Sequence, residues 1–247
     1  MKKIVVPVNF SASSDNAARY AADMALAIHA ELHLVHFVQV PVSTADFPMN
    51  EYVFSEMEQS GTEGLNQLWD KLVVRTHGKV NIYTNMEVGN VEYRLEEFCT
   101  RTKPFMVVMG SAGPSLERAL TGSNISAAIR HLPYPLIVVP GNAIFHQYKK
   151  IMLACDLDDI AAGVPVNNPL LKEFQNNFDC NFEVINISTK QMKVEEGISE
   201  YLSNHPADLL LVFPKKHNFL EFHKSHAKKI ALHSSIPVMS MHCPCPE

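Results

Sequence analysis

The sequence predicts an α/β protein made of two doubly wound parallel-sheet domains in tandem, the second of them truncated. Two observations lead to this prediction. Short apolar runs rich in β-branched residues alternate with amphipathic helical stretches, a pattern typical of parallel strands covered by helices. In addition, the order of these runs in the first half recurs from residue 151 onward, so the chain contains an internal repeat.

Five strands are predicted in the first half. They cover residues 4–8, 32–38, 80–88, 105–109 and 136–139. Helices are expected between them because apolar side chains recur there at helical spacing, first over residues 16–29 and then over a long stretch that ends near His77. Asn90 is expected to cap a third helix, and Ser123 or Asn124 a fourth that ends before Pro133.

The stretch from Phe105 to Pro140 carries the strongest motif of the chain. A buried strand is predicted to stop at Gly110-Ser111-Ala112-Gly113, and a helix and a further strand follow. Glycines at such a passage allow a ligand to approach the backbone, and a helix N-terminus behind them offers free N–H donors, so the pair can hold a phosphate. The alternative is that these glycines only turn the chain.

The spacing of six residues in this stretch resembles the signature of the universal stress protein family. They are Gly110, Gly113, Gly122, Ser123, Pro133 and Pro135. Nucleotide-binding members carry Gly-x-x-Gly, nine residues, then Gly followed by Ser or Thr. Here eight residues, Pro114 to Thr121, separate the glycines, and Glu117 adds a negative charge. The resemblance implies sheets of the adenine nucleotide alpha hydrolase-like type, with strand order 3-2-1-4-5.

The resemblance also implies a site for ATP or another adenine nucleotide at the carboxyl ends of strands one and four. Adenine is expected to contact the backbone near Phe37 or Val38. Asn9 stands where the family carries an aspartate, and an amide cannot act as a carboxylate toward a metal, so no metal is expected. The remaining expected site residues are Pro7, Ser11, Gly110, Gly113, Gly122, Ser123 and Asn124.

The second half matches the first by its strands alone. Ile151 to Asp156 corresponds to Ile4 to Asn9, and later strands are predicted at residues 181–187 and 209–213. The segment equivalent to the long helix and third strand is missing, and Pro214-Lys215-Lys216-His217 replaces the first glycine pair. The resemblance therefore predicts two domains, residues 1–142 and residues 149–247, with the second degenerate and residues 141–149 as a linker.

Composition excludes several classes of function. The net charge of −5 and the lack of a dense Lys/Arg tract argue against nucleic-acid and membrane partners. The first apolar run is too short for a signal peptide and the five cysteines are scattered, which together indicate a cytoplasmic protein with reduced thiols. The histidines and cysteines near the C-terminus leave zinc open, but the neighbouring lysines favour a polar helix.

The leading hypothesis is a non-enzymatic, cytoplasmic stress-response protein that binds an adenine nucleotide in its first half. No catalytic motif is found. One alternative is an interaction module that has lost nucleotide binding, and another is a slow ATP hydrolase, which would need a carboxylate for its metal. Because family members commonly dimerise through the last strand, we expect the two halves to pair as a pseudo-dimer and the chain to form a homodimer.

Overall fold

The protein is described by a computed structural model that covers residues 1–39, 51–112, 121–154, 169–185, 194–213 and 222–241. Nine strands lie in these ranges: β1 (Lys3–Val8), β2 (Glu31–Val38), β3 (Ile82–Val88), β4 (Met106–Ser111), β5 (Leu136–Pro140), β6 (Lys150–Ala154), β7 (Asn181–Ile185), β8 (Leu209–Val212) and β9 (Val238–Ser240). The described helices are α1 (Ala12–Ile28), α2 (Glu51–Arg75), α3 (Val91–Thr102), α4 (Thr121–His131), α5 (Pro169–Phe178), α6 (Val194–Asn204) and α7 (Phe222–His233).

All nine strands form one sheet in the order β3-β2-β1-β4-β5-β9-β8-β6-β7. The first half has the expected order 3-2-1-4-5, and its strands are parallel. The described part of the second half repeats this order without a third strand. The halves meet where Leu136 to Val138 of β5 pair antiparallel with Val238 to Ser240 of β9, so their last strands join them as expected of a pseudo-dimer. The α/β class and the mostly parallel sheet are confirmed.

Local signals explain most element boundaries in the first half. The Ser11 side chain accepts a hydrogen bond from the Ser14 N–H and caps α1, and Asn90 caps α3 through the Glu92 N–H. The fourth strand ends at Ser111, within the glycine stretch where it was predicted to stop, and its backbone pairing with β5 continues to that residue. The predicted cap of α4 is wrong. Neither Ser123 nor Asn124 caps α4, since both lie inside its first turn.

Two apolar layers cover the sheet, one on each face, and both extend through the two halves. One layer joins α1, α2 and α5 over alternate strand residues such as Ile4, Leu32 and Leu209. The other joins α3, α4, α6 and α7 over the intervening residues, among them Val5 and Leu210. None of the described helices combines the length and the apolar character that a membrane span requires. The proposed boundaries at residues 142 and 149 remain predictions.

The connection between the halves, residues 141–149, is mostly exposed, as a linker would be, but its aromatic residues Phe145 and Tyr148 pack against the core. Tyr148 is buried, and its hydroxyl lies 2.7 Å from that of Tyr20. Its ring packs with the rings of Phe145, Phe174 and Phe178. The aromatic cluster therefore fastens α1 of the first half to α5 of the second. Two aromatic residues of an otherwise mostly exposed connection thus reach the apolar layer that both halves share.

Burial gives the tyrosine pair a measurable effect on stability at high pH. Desolvation raises the pKa of both Tyr20 and Tyr148 above the ordinary value. The ordinary pKa of tyrosine is about 10. Between this pH and the higher pKa values of the folded state, the unfolded chain loses protons that the folded chain keeps, so stability falls as pH rises. We expect a loss of about 1.4 kcal/mol per pH unit for each tyrosine in this window.

This loss can be measured by urea denaturation of the wild type between about pH 8 and about pH 11. The Tyr20→Phe/Tyr148→Phe double variant provides the control, because it keeps the rings and removes both titrating hydroxyls. Its stability should fall less over the same range. Equal losses in the two proteins would show that the pair does not couple to folding.

Candidate functional site

A cleft of about 580 Å³ opens at the carboxyl ends of β1, β2 and β4. Parallel α/β sheets bind ligands at this edge, next to the point where strand order reverses. Here β1 lies between β2 and β4, so the reversal falls at this position. Among the predicted site residues, the cleft is lined by Pro7, Asn9, Ser11, Val38, Gly110 and Asn124, and Phe37 also lines it.

The loop after β1 is held in one conformation by its own polar groups. The Asn9 side-chain oxygen accepts hydrogen bonds from the Ser11 N–H, at 3.2 Å, and the Ser11 hydroxyl, at 2.6 Å. The Asn9 N–H donates to the Ser14 hydroxyl. Since both bonds to Ser11 use the Asn9 oxygen, the amide NH₂ of Asn9 is left as a donor for a ligand.

Gly110 belongs to the cleft, but close helix packing also explains why this residue is a glycine. A Cβ built on Gly110 would lie 2.1 Å from the backbone oxygen of Ser13 and 2.5 Å from its carbonyl carbon. The first turn of α1 therefore rests directly on the backbone of β4. From the sequence, the missing side chain at Gly110 is explained by the approach of a ligand. In the structure, the backbone of α1 occupies the position that a side chain would take.

The first turn of α4 reaches the same cleft through Asn124. Gly122 and Ser123 precede it in that turn, where backbone N–H groups have no partner within the helix. These groups and the helix dipole favour an anionic group at this end of the cleft. Gly113 lies outside the described residues, as does Asp156 of the second half. The structure thus brings the loop after β1, the end of β2, Gly110 and the start of α4 together around one cleft.

One wall of the cleft was missed from the sequence. The first half of α2 lines it through Met57, Ser60 and Gly61, and it lies over the Phe10 and His36 rings, whose centroids are 4.6 Å apart. A Cβ on Gly61 would come within 2.9 Å of the His36 ring, and one on Gly64 within 2.7 Å of the Phe10 ring. Two glycines three residues apart in a helix were the available signal.

His36 has a defined hydrogen-bonding role in the floor of the cleft. Its Nδ1 lies 2.8 Å from the Val8 carbonyl oxygen, which can only accept, so Nδ1 carries the proton and donates. The Nε2 atom of this tautomer is an acceptor. His33, three residues earlier, faces the opposite side of the sheet and stacks on Tyr83 with 4.8 Å between centroids. The two histidines therefore do not converge on one ligand.

The described residues present no metal centre and no activated thiol. No group of three or more potential ligands comes together within them. Cys99 is buried and its thiol pKa is raised to about 12, mainly by desolvation. Burial likewise raises the pKa of Cys180 to about 11, so both thiols stay protonated at neutral pH. The cleft is thus a concave, hydroxyl-rich and partly apolar pocket of the kind that binds small molecules.

The model of the universal stress protein family matches residues 1–140. The chain belongs to this family. A universal stress protein of Methanocaldococcus jannaschii is 31% identical over 141 residues, which are 56% of this chain and 81% of that protein. Universal stress protein G of Shigella flexneri is 30% identical over 142 residues, covering 56% of this chain and 98% of the relative.

The fold likeness extends beyond the matched half of this universal stress protein. The crystal structure of a universal stress protein from Archaeoglobus fulgidus DSM 4304 superposes with a TM-score of 0.72, covering 97% of this chain and 98% of the other. The two sequences are 12% identical, so the likeness shows the fold alone. The likeness in fold thus covers both halves of the chain, whereas the likeness in sequence covers the first.

Proposed function

We propose that this universal stress protein is a non-enzymatic, cytoplasmic stress-response protein that binds an adenine nucleotide in the cleft of its first half. The supporting observation is that six residues expected from the nucleotide-binding pattern line one cleft at the strand-order reversal. Phe37 and Val38 at the end of β2 offer backbone groups to an adenine, and the start of α4 offers N–H groups to a phosphate.

The second half is proposed to be a degenerate copy of the first. Within the residues that the structure describes, its strand order has no equivalent of β3, and the sequence between β8 and α7 contains no glycine. Its contribution is structural, since it covers the free edge of β5 with β9 and extends both apolar layers. A homodimer is a further proposal and would use another surface, because the last strands already pair within the chain.

Binding without chemistry accounts for the described cleft better than hydrolysis does. A hydrolase needs a carboxylate that holds a metal and a positioned water, and Asn9 supplies an amide at the family's aspartate position. The carboxylate that does line the described cleft, Glu56, belongs to no group of three or more potential metal ligands among the described residues. Ligand binding would instead shift the population of conformations around the cleft and so alter a partner-facing surface. An interaction module with an empty cleft is the competing function, and it predicts no bound nucleotide.

The test is mass spectrometry of small molecules released by denaturing freshly purified protein, followed by calorimetric titration of the protein freed of ligand. We expect an adenine nucleotide at near-stoichiometric yield and no ATP turnover above the buffer blank. The Ser60→Trp variant should bind about tenfold more weakly or worse, because the larger side chain enters the cleft from the α2 wall.

Gln59→Trp is the matched control, since Gln59 is the exposed neighbour of Ser60 and does not line the cleft. Its affinity should equal that of the wild type. A protein that releases no nucleotide and binds none on titration would refute the proposal and favour the interaction module. Steady ATP turnover that is lost in Ser60→Trp would refute the non-enzymatic assignment.

A further inference from the structure

We propose that the cleft selects an adenine nucleoside or nucleoside monophosphate over the triphosphate, and that Glu56 is a specificity-determining residue for this choice. The inference rests on the proposed function, because it names the charge class of the ligand that the same cleft takes. It follows from the distribution of charge around the cleft.

Among the described residues that line the cleft, Glu56 is the one with a formal charge at neutral pH when His36 is in its neutral form. It lies on α2, the wall that the structure revealed. The sequence has no lysine or arginine between Arg19 and Lys71, whereas α2 also carries Glu51, Glu58 and Glu63. The charged side chain that α2 places in the described cleft is therefore acidic, and it is Glu56.

The two sequence segments that follow β2 and β4 and lie outside the described residues add no net positive charge. Residues 40–50 contain one charged residue, Asp46, and residues 113–120 contain Glu117 and Arg118, whose charges cancel. The loop after β1, residues 9–14, contains no charged side chain. The sequence between β1 and α2, and between β4 and α4, therefore carries no excess of positive charge.

The positive potential available to a phosphate comes from the start of α4 and from neutral donors. A helix N-terminus is equivalent to roughly half an elementary charge. Together with the NH₂ of Asn9 and the Ser60 hydroxyl, it can stabilise a single phosphate. A triphosphate brings roughly two further negative charges, and it would meet Glu56 instead of the lysine or arginine that usually holds a polyphosphate.

His36 supports a neutral, base-directed mode of binding. Its ring lines the cleft, and its Nδ1 donates to the Val8 carbonyl, which fixes the orientation of the ring. The pair of rings formed by Phe10 and His36 adds an aromatic surface beneath α2. Recognition in the described cleft is therefore concentrated on the nucleoside, and the phosphate tail has few partners.

The test is calorimetric titration of the ligand-free protein with adenosine, AMP, ADP and ATP in buffer without divalent metal, at about 20 mM and about 300 mM salt. We expect ATP to bind at least about fivefold more weakly than AMP at low salt. ATP affinity should rise with salt, because screening weakens repulsion, whereas a basic site shows the opposite trend. Adenosine affinity should not depend on salt.

Glu56→Gln should improve ATP binding about threefold at low salt and leave adenosine unchanged. Glu58→Gln is the matched control, because it removes the same charge two residues away on α2 from a side chain that does not line the cleft. ATP binding that is tighter than AMP binding, or that weakens with salt, would overturn the inference while leaving the proposed function intact. If Glu56→Gln and Glu58→Gln changed the ATP affinity equally, Glu56 would not be a specificity-determining residue. Failure of all four compounds to bind would overturn the proposed function itself.

Discussion

Gly110→Ala is expected to lower the free energy of unfolding by about 3 kcal/mol or more, although it adds a single methyl group. The added Cβ would lie 2.1 Å from the Ser13 backbone oxygen and 3.1 Å from the Ser14 nitrogen. Neither atom can turn aside as the end of a flexible side chain could, so α1 must move away from β4. Since α1 packs over much of the first half's core, this movement would loosen that core.

Urea denaturation followed by circular dichroism measures this loss, with Gly141→Ala as the control. A Cβ on Gly141 would approach the Ser111 backbone oxygen no closer than 3.6 Å, an ordinary contact, so that variant should match the wild type. If Gly110→Ala and Gly141→Ala were equally stable, the close approach of α1 to β4 would be wrong. Nucleotide binding should also weaken in Gly110→Ala, because Ser13 and Ser14 line the cleft.

Tyr148→Ala is expected to destabilise the protein by about 3–5 kcal/mol, the usual cost of removing a buried aromatic side chain. Tyr148 is 1% exposed and contacts the rings of Phe145, Phe174 and Phe178, with which it joins α1 to α5. The cavity would open between the two halves. We therefore expect the variant to lose the second half's structure before the first half unfolds.

Tyr148→Phe separates the ring from the hydroxyl. It keeps the aromatic packing and leaves the Tyr20 hydroxyl without its 2.7 Å partner, which should cost about 1–2 kcal/mol. In urea denaturation, the fluorescence of Trp69 reports the unfolding of the first half, and circular dichroism reports the whole chain, so the two signals separate the halves. Coincident transitions in Tyr148→Ala with a loss below about 1 kcal/mol would contradict the role of the cluster.

The part of the candidate site that the strand ends and the loops after them form could be predicted from the sequence. Asn9 and Ser11 follow β1 directly, and Val38 ends β2, so the parallel arrangement alone brings them to one edge. The α2 wall was not predictable in this way. Its approach requires Gly61 and Gly64 to meet the rings of His36 and Phe10, and a glycine inside a helix does not by itself identify the side chain that it packs against.

Helices and strands in this chain could be assigned from short-range patterns, because periodicity and capping act between residues a few positions apart. The Asn90 cap is an example, with its acceptor and donor two residues apart. The union of the halves depends on long-range contacts. Tyr20 and Tyr148 meet across 128 positions, and β5 pairs with β9 only because both apolar layers bring the last strands together. Such contacts form between surfaces that exist only once the elements have packed, so patterns among neighbouring residues cannot reveal them.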